Sequence, residues 1–193
     1  MKKFIIALVV LSLTVTTLFA APIFQIGPTA QYQYKLKDIT TGENVMDNLG
    51  NIDHWQFGAD FRVNLWFLQI GLNGLYGKAD DYHRLDSVLT ANVLINPVDF
   101  LTIAVGMGPS MSFSTKDFKS YYVNGATIDN FGDVFMNSPL YYRAQVGFDF
   151  GMLGLSVGYL LPTKGSFKNF SGDTFIPAWD NGKFSASILF NFL

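Results

Sequence analysis

Six charged side chains recur on the polar side of alternating segments: Asp60, Arg62, Arg84, Asp86, Arg143 and Asp149. Three acids against three bases point to ion pairing across neighbouring strands, because a charge held away from water needs a partner. Such a set can close an interior as a polar plug or line a narrow gated path. The only two histidines are His54 and His83, with Asp53, Asp80, Asp81 and Asp86 close in sequence. That grouping could hold a metal, or could join Ser87 in nucleophilic chemistry. Nucleophilic catalysis needs a base within hydrogen-bond reach of the hydroxyl, and spacing alone does not establish that reach. The plainer reading is a solvated rim, and we expect no catalytic residue, no metal site and no cofactor. The chain has no cysteine, which excludes a disulfide framework and a cysteine-based zinc site. No Gly-rich phosphate loop, nucleotide motif or basic stripe suggests a nucleic-acid partner.

Period-two alternation must position these charges, and it dominates the chain. Segment one, Phe24 to Leu36, puts Phe24, Ile26, Pro28, Ala30, Tyr32, Tyr34 and Leu36 on one face. Segment two runs from His54 to Leu65, and segment three from Leu68 to Tyr76. Segment four, Arg84 to Ile95, is the least regular, since Val88 and Leu94 interrupt its polar side. Segment five runs from Leu101 to Ser114, six from Leu140 to Phe150, seven from Leu153 to Leu161, and eight from Lys183 to Phe192. Tight turns are expected at 66–67, 96–99 and 151–152, and longer connections at 37–53, 77–83, 115–138 and 163–181. Short turns on one rim and long loops on the other suit an all-β, eight-stranded, antiparallel up-and-down transmembrane barrel.

The first twenty residues read as a secretory signal peptide: Lys2 and Lys3, then an apolar stretch from Phe4 to Phe19, then small residues at Ala20 and Ala21. The expected organisation is a signal peptide over 1–20 and one barrel domain over 21–193. Removing the two lysines from 13 basic residues leaves 11 against 15 acids, a net of −4. No later apolar run is long enough for a helical span, so any membrane crossing must use strands.

Alternation does not say which face is inside, but volume does. The interior of an eight-stranded barrel only just accommodates side chains. The apolar faces carry Phe, Tyr, Trp, Leu and Met, whereas the polar faces are mostly Gly, Ser, Asn, Thr and Gln. The small polar set fits inside, and the large apolar set belongs outside. Aromatics then cluster at two levels: Phe24, Trp66, Phe67, Phe100, Phe150, Phe190 and Phe192 at the short-turn rim, and Tyr34, Trp55, Tyr76, Phe113, Tyr142, Tyr159 and Phe184 at the other. Ten residues from Phe24 to Tyr34 span roughly 25 Å along the membrane normal once tilt is allowed for. Amphipathic aromatics favour such interfaces.

On these patterns the chain resembles the small eight-stranded bacterial outer-membrane barrels, the OmpX, OmpW and OmpA-barrel class, over essentially all of 22–193. The stretch from Phe184 to Leu193 looks like the C-terminal signal read by the barrel-assembly machinery, although Phe192 is penultimate and Leu193 last. The resemblance implies export to the bacterial outer membrane, with lipid and that machinery as partners. It leaves three functions open: a structural or surface-interaction barrel with a plugged lumen, a narrow pore or carrier for small apolar solutes, and a lipid-modifying enzyme; we rank them in that order. Pro28 and Pro109 interrupt good strands, as at a bulge or a local gap in the wall. Through such a gap OmpW-like barrels would release apolar solutes sideways. Two long loops are rich in aromatics: Phe118, Tyr121, Tyr122, Phe131 and Phe135 in one, Phe167, Phe170, Phe175, Ile176 and Trp179 in the other. They suit recognition of an extracellular ligand or packing over the barrel mouth.

Overall fold

Each alternating segment offers one face of large apolar residues and one of small polar ones, so a sheet built from them can hide only one face. The computed structural model, which describes residues 22–32, 50–79, 82–116, 122–123, 126–127, 131–169 and 171–192, closes that sheet into a barrel with the polar face inside. Its wall is made of β1 (Phe24–Tyr32), β2 (Trp55–Leu65), β3 (Leu68–Ala79), β4 (Tyr82–Val98) and β5 (Leu101–Thr115), then β8 (Leu140–Phe150), β9 (Leu153–Pro162) and β10 (Lys183–Phe192). Every neighbouring pair is antiparallel, and β1 pairs with β10 to complete the ring. Between β5 and β8 the described residues form a hairpin of two-residue strands, β6 (Tyr122–Val123) and β7 (Ala126–Thr127), and a short helix, α1 (Phe131–Asn137).

The stagger of the ring follows from its registers. A row of cross-strand partners leaves β3 at Leu68 and runs through Val93, Val105, Ala144, Tyr159, Phe184, Tyr32 and Trp55. With Phe57 opposite Tyr76, the row re-enters β3 at Lys78, ten residues from its start. Eight strands with that stagger tilt by about 40° to the barrel axis. The tilt brings residues far apart in sequence to one level of the lumen.

Burial follows the pleat. In β1, Gln25, Gly27, Thr29 and Gln31 are buried, while Phe24 and Ile26 are exposed. Ile70, Leu72, Val105, Phe148, Leu155 and Ile188 likewise face outward and exposed, and Gln69, Asn73, Asn92, Thr102, Gln145 and Ser187 are buried. Val88 and Leu94, which broke the pattern of segment four, point inward with Leu75, Leu160 and Leu189 and fill the lumen between polar groups.

Two connections differ in extent from the sequence expectation, and a third holds a helix. The turn expected over 96–99 lies at Asp99-Phe100: β4 continues to Val98, with a register shift between Ile95 and Val98 that accommodates Pro97. The connection expected over 77–83 shrinks to the two residues between Ala79 and Tyr82, because β3 and β4 stay paired to their ends. The loop at 115–138 contains α1, too short to leave a helical period among its aromatics. Residues 33–36 and Tyr34 fall outside the described residues.

Gly27-Pro28 in β1 and Gly108-Pro109 in β5 form a matched pair on opposite sides of the ring. On one side of each, pairing is intact: Gly27 opposes Asp60 and Gly108 opposes Tyr141. On the other side it lapses, resuming at Thr29 opposite Ser187 and at Met107 opposite Ala91, with the register unchanged. Proline lacks the donor, and the glycine lets the neighbouring backbone close in. A Cβ on Gly27 would lie 1.8 Å from the carbonyl oxygen of Ile188, and one on Gly108 1.8 Å from that of Leu89. The outer wall is indented at both places, by pockets of about 570 Å³ beside Pro28 and 350 Å³ beside Pro109.

Candidate functional site

The lumen gathers the charged residues into tiers. At the middle, Asp60 (0% exposed) lies between Arg62 (2%) and Arg143 (1%). Arg62 Nε donates to Asp60 Oδ2 at 3.1 Å, and its Nη2 reaches both that oxygen and Ser156 Oγ. Arg143 Nη2 donates to the same oxygen at 3.1 Å, while Nη1 donates to Asn73. Ser187 Oγ lies 2.9 Å from Asp60 Oδ2 and 2.9 Å from Thr29 Oγ1. One carboxylate oxygen thus serves two guanidiniums and a hydroxyl. Asp60 Oδ1 and Arg143 Nε have no hydrogen-bond partner among the described residues.

Toward the long loops a second tier centres on Asp86. Arg84 Nε donates to Asp86 Oδ1 at 2.7 Å and to Ser112 Oγ at 2.8 Å. Gln56 Nε2 donates to Asp86 Oδ2 at 2.8 Å, Gln31 donates on to Gln56, and Lys183 Nζ lies 3.8 Å from that carboxylate. Toward the short turns, neutral donors hold Asp149: Thr102 Oγ1 at 3.0 Å, Gln25 Nε2 at 3.2 Å and Asn191 Nδ2 at 3.2 Å. Above it, Gln145 and Asn92 donate to Gln69 Oε1, and Gln69 donates to Asn64.

Pairing across strands therefore holds for Arg143 with Asp60 and Lys183 with Asp86, but Arg62–Asp60 and Arg84–Asp86 pair two residues apart on one strand. Alternation puts residues i and i+2 on one face, so a guanidinium reaches back along its own strand. Lys183 was legible as a polar-face residue of segment eight. Its partnership with Asp86 was not, because it depends on how β10 and β4 are staggered around the ring.

The histidines go elsewhere. His83 and Ser87 share the outer face of β4, while Asp86 points into the lumen, so these three side chains form no triad. Four strand residues also separate His83 from Ser87 by roughly 13 Å. His83 Nδ1 is bonded to the hydroxyl of Tyr76, and the ring of His54 packs edge-on against Tyr32. Among the described residues, no group of three or more His, Cys, Asp or Glu is placed to hold a metal ion.

The loop aromatics divide. Phe118, Tyr121 and Phe170 lie outside the described residues, and Tyr122 stands in β6. Phe167 stacks on Phe135 with ring centres 5.7 Å apart. The carbonyl of Phe175 accepts from the Tyr142 hydroxyl at 3.1 Å, while Trp179 is 60% exposed. Phe135 and Phe167 pack against the outer wall at Pro109 and Leu140, not over the mouth. Comparison with protein-family models and with curated proteins finds no match for this chain.

Proposed function

We propose that this protein is an integral outer-membrane β-barrel, exported on the signal peptide at 1–20, whose lumen is closed by its polar network and whose loops serve structural or surface-interaction roles. The observation that carries this reading is the inverted distribution of polarity. Leucine, isoleucine, valine and phenylalanine side chains cover the outside of the wall, while 24 polar or charged residues among those described are buried, nearly all of them strand residues. In water an apolar surface of that extent would be a standing liability; in hydrocarbon it is the required one, and a closed barrel leaves no strand edge unpaired. The charged tiers and the inward leucines favour a plug over an open channel.

A second reading, a narrow pore or carrier for small apolar solutes, draws support from the lapse at Gly27-Pro28. There the outer pocket is bordered by the inward-facing residues Thr29, Ser156 and Ser187. Single-channel recording on refolded protein from residue 21 separates the two. Under the plug reading, inserted protein is silent; discrete conductance steps would replace the plug with the pore.

A further inference from the structure

We infer that α1 and the segment around Phe167 form a ledge that docks into the lipid interface beside the barrel, anchoring one side of the long-loop rim to the membrane surface; this rests on the membrane reading above.

The sequence of α1, FGDVFMN, is short but two-sided. At 100° per residue, Phe131, Val134 and Phe135 fall within one arc of about 100°, Asp133 and Met136 lie opposite it, and Asn137 lies outside it on the Asp133 side. Phe131, on the apolar arc, is 60% exposed, and Met136, on the other side, 41%. The helix is tied to the next loop: the Lys168 amide donates to the Met136 carbonyl at 3.0 Å, and Lys168 Nζ pairs with Asp133 at 3.0 Å. That exposed pair closes the polar side, and the Phe135–Phe167 stack closes the apolar one.

The apolar side continues the outer face of the barrel. Phe135 and Phe167 border one pocket of about 350 Å³ with the outward residues Leu89, Met107, Pro109 and Leu140. The height is also suitable. Leu140 and Phe150 end the outward face of β8, ten residues apart, which at a 40° tilt is about 25 Å along the axis. That is the height of an outer-membrane apolar band. The ledge meets the wall from Leu140, at the upper edge of that band, down to Leu89 and Met107, so its apolar side enters the acyl boundary where amphipathic helices settle with one face. Lipid is the occupant this chemistry fits, because the apolar surface is shared with the wall and the polar side is already paired.

The absence of native cysteine allows single-site labelling. An environment-sensitive fluorophore is placed at Phe131→Cys, Asn137→Cys or Val105→Cys in the full mature chain. Each variant is refolded into phosphatidylcholine vesicles with and without nitroxide-labelled lipid, and folding is checked by heat-modifiable gel migration. The expected result is strong quenching at 105, quenching at 131 at least twofold greater than at 137, and a blue-shifted emission at 105 and 131 but not at 137. Quenching at 105 with equal or no quenching at 131 and 137 overturns the ledge while leaving the barrel in the bilayer. No quenching at 105 in folded protein overturns the membrane reading and the ledge with it.

Discussion

Asp60→Asn is the sharpest test of the plug. The side chain keeps its shape and one acceptor oxygen, but Arg62 and Arg143 lose the carboxylate that both of them address through Oδ2. Both guanidiniums are fully enclosed, so neither can be rehydrated without opening the lumen. Removing one partner of a buried pair costs about 3–5 kcal/mol, because the remaining charge is left uncompensated. With two arginines on one acid, the variant should lose about 4 kcal/mol, a thousandfold in the folding equilibrium. Arg143→Gln should cost less, about 2 kcal/mol, since Arg62 still holds Asp60. The double variant, with a single uncompensated arginine, should lose at least 2 kcal/mol less than the sum of the singles, which marks direct coupling. Equilibrium unfolding in urea, with the barrel refolded into vesicles and followed by tryptophan emission and gel migration, measures all three. A loss below about 1 kcal/mol for Asp60→Asn, or singles that add to the double, would refute the claim that this tier locks the lumen.

Three further outcomes are expected. Val105→Arg, at a 53% exposed outward position of β5 that pairs with Ala144 near the middle of β8, should destabilise the vesicle-embedded barrel by about 2–4 kcal/mol; a change within about 0.5 kcal/mol would mean that this face meets water. Gly27→Val should prevent closure between β1 and β10, where its Cβ would overlap the Ile188 carbonyl, whereas Gly74→Ala, with nothing within 4 Å, should fold like the parent on a heat-shift gel. Gly151→Ala meets no neighbouring atom but must adopt a φ of 76°, so it should cost about 1 kcal/mol through backbone strain alone, read as a lower urea midpoint.

Much of the wall was legible because a strand reports its own faces. Phe24, Ile26 and the residues after them alternate regardless of what lies beside them, and β8 begins and ends where its pattern does. The errors came where a neighbour overrode local chemistry. Asn96-Pro97 looks like a turn, yet β5 continues to pair beside it and absorbs the proline in a register shift. The residues near 77–83 look like a loop, yet pairing with β4 carries β3 to Ala79. The two histidines and their nearby acids looked like one cluster in sequence, and the pleat sent His83 and Asp86 to opposite faces.

By itself, then, the sequence determined the number of barrel strands, their antiparallel succession and the division between a small polar face and a large apolar one. These follow from a two-residue period and from side-chain volume, both properties of single strands. The tertiary structure alone decided the ten-residue stagger of the ring, and with it that Arg143 meets Asp60 and Lys183 meets Asp86. It also decided that Phe135 and Phe167 turn to the outer wall. A period of two is unchanged when one strand slides past the next by two residues, so no strand carries the stagger in its own pattern. Only closure of all eight pairs at once selects it.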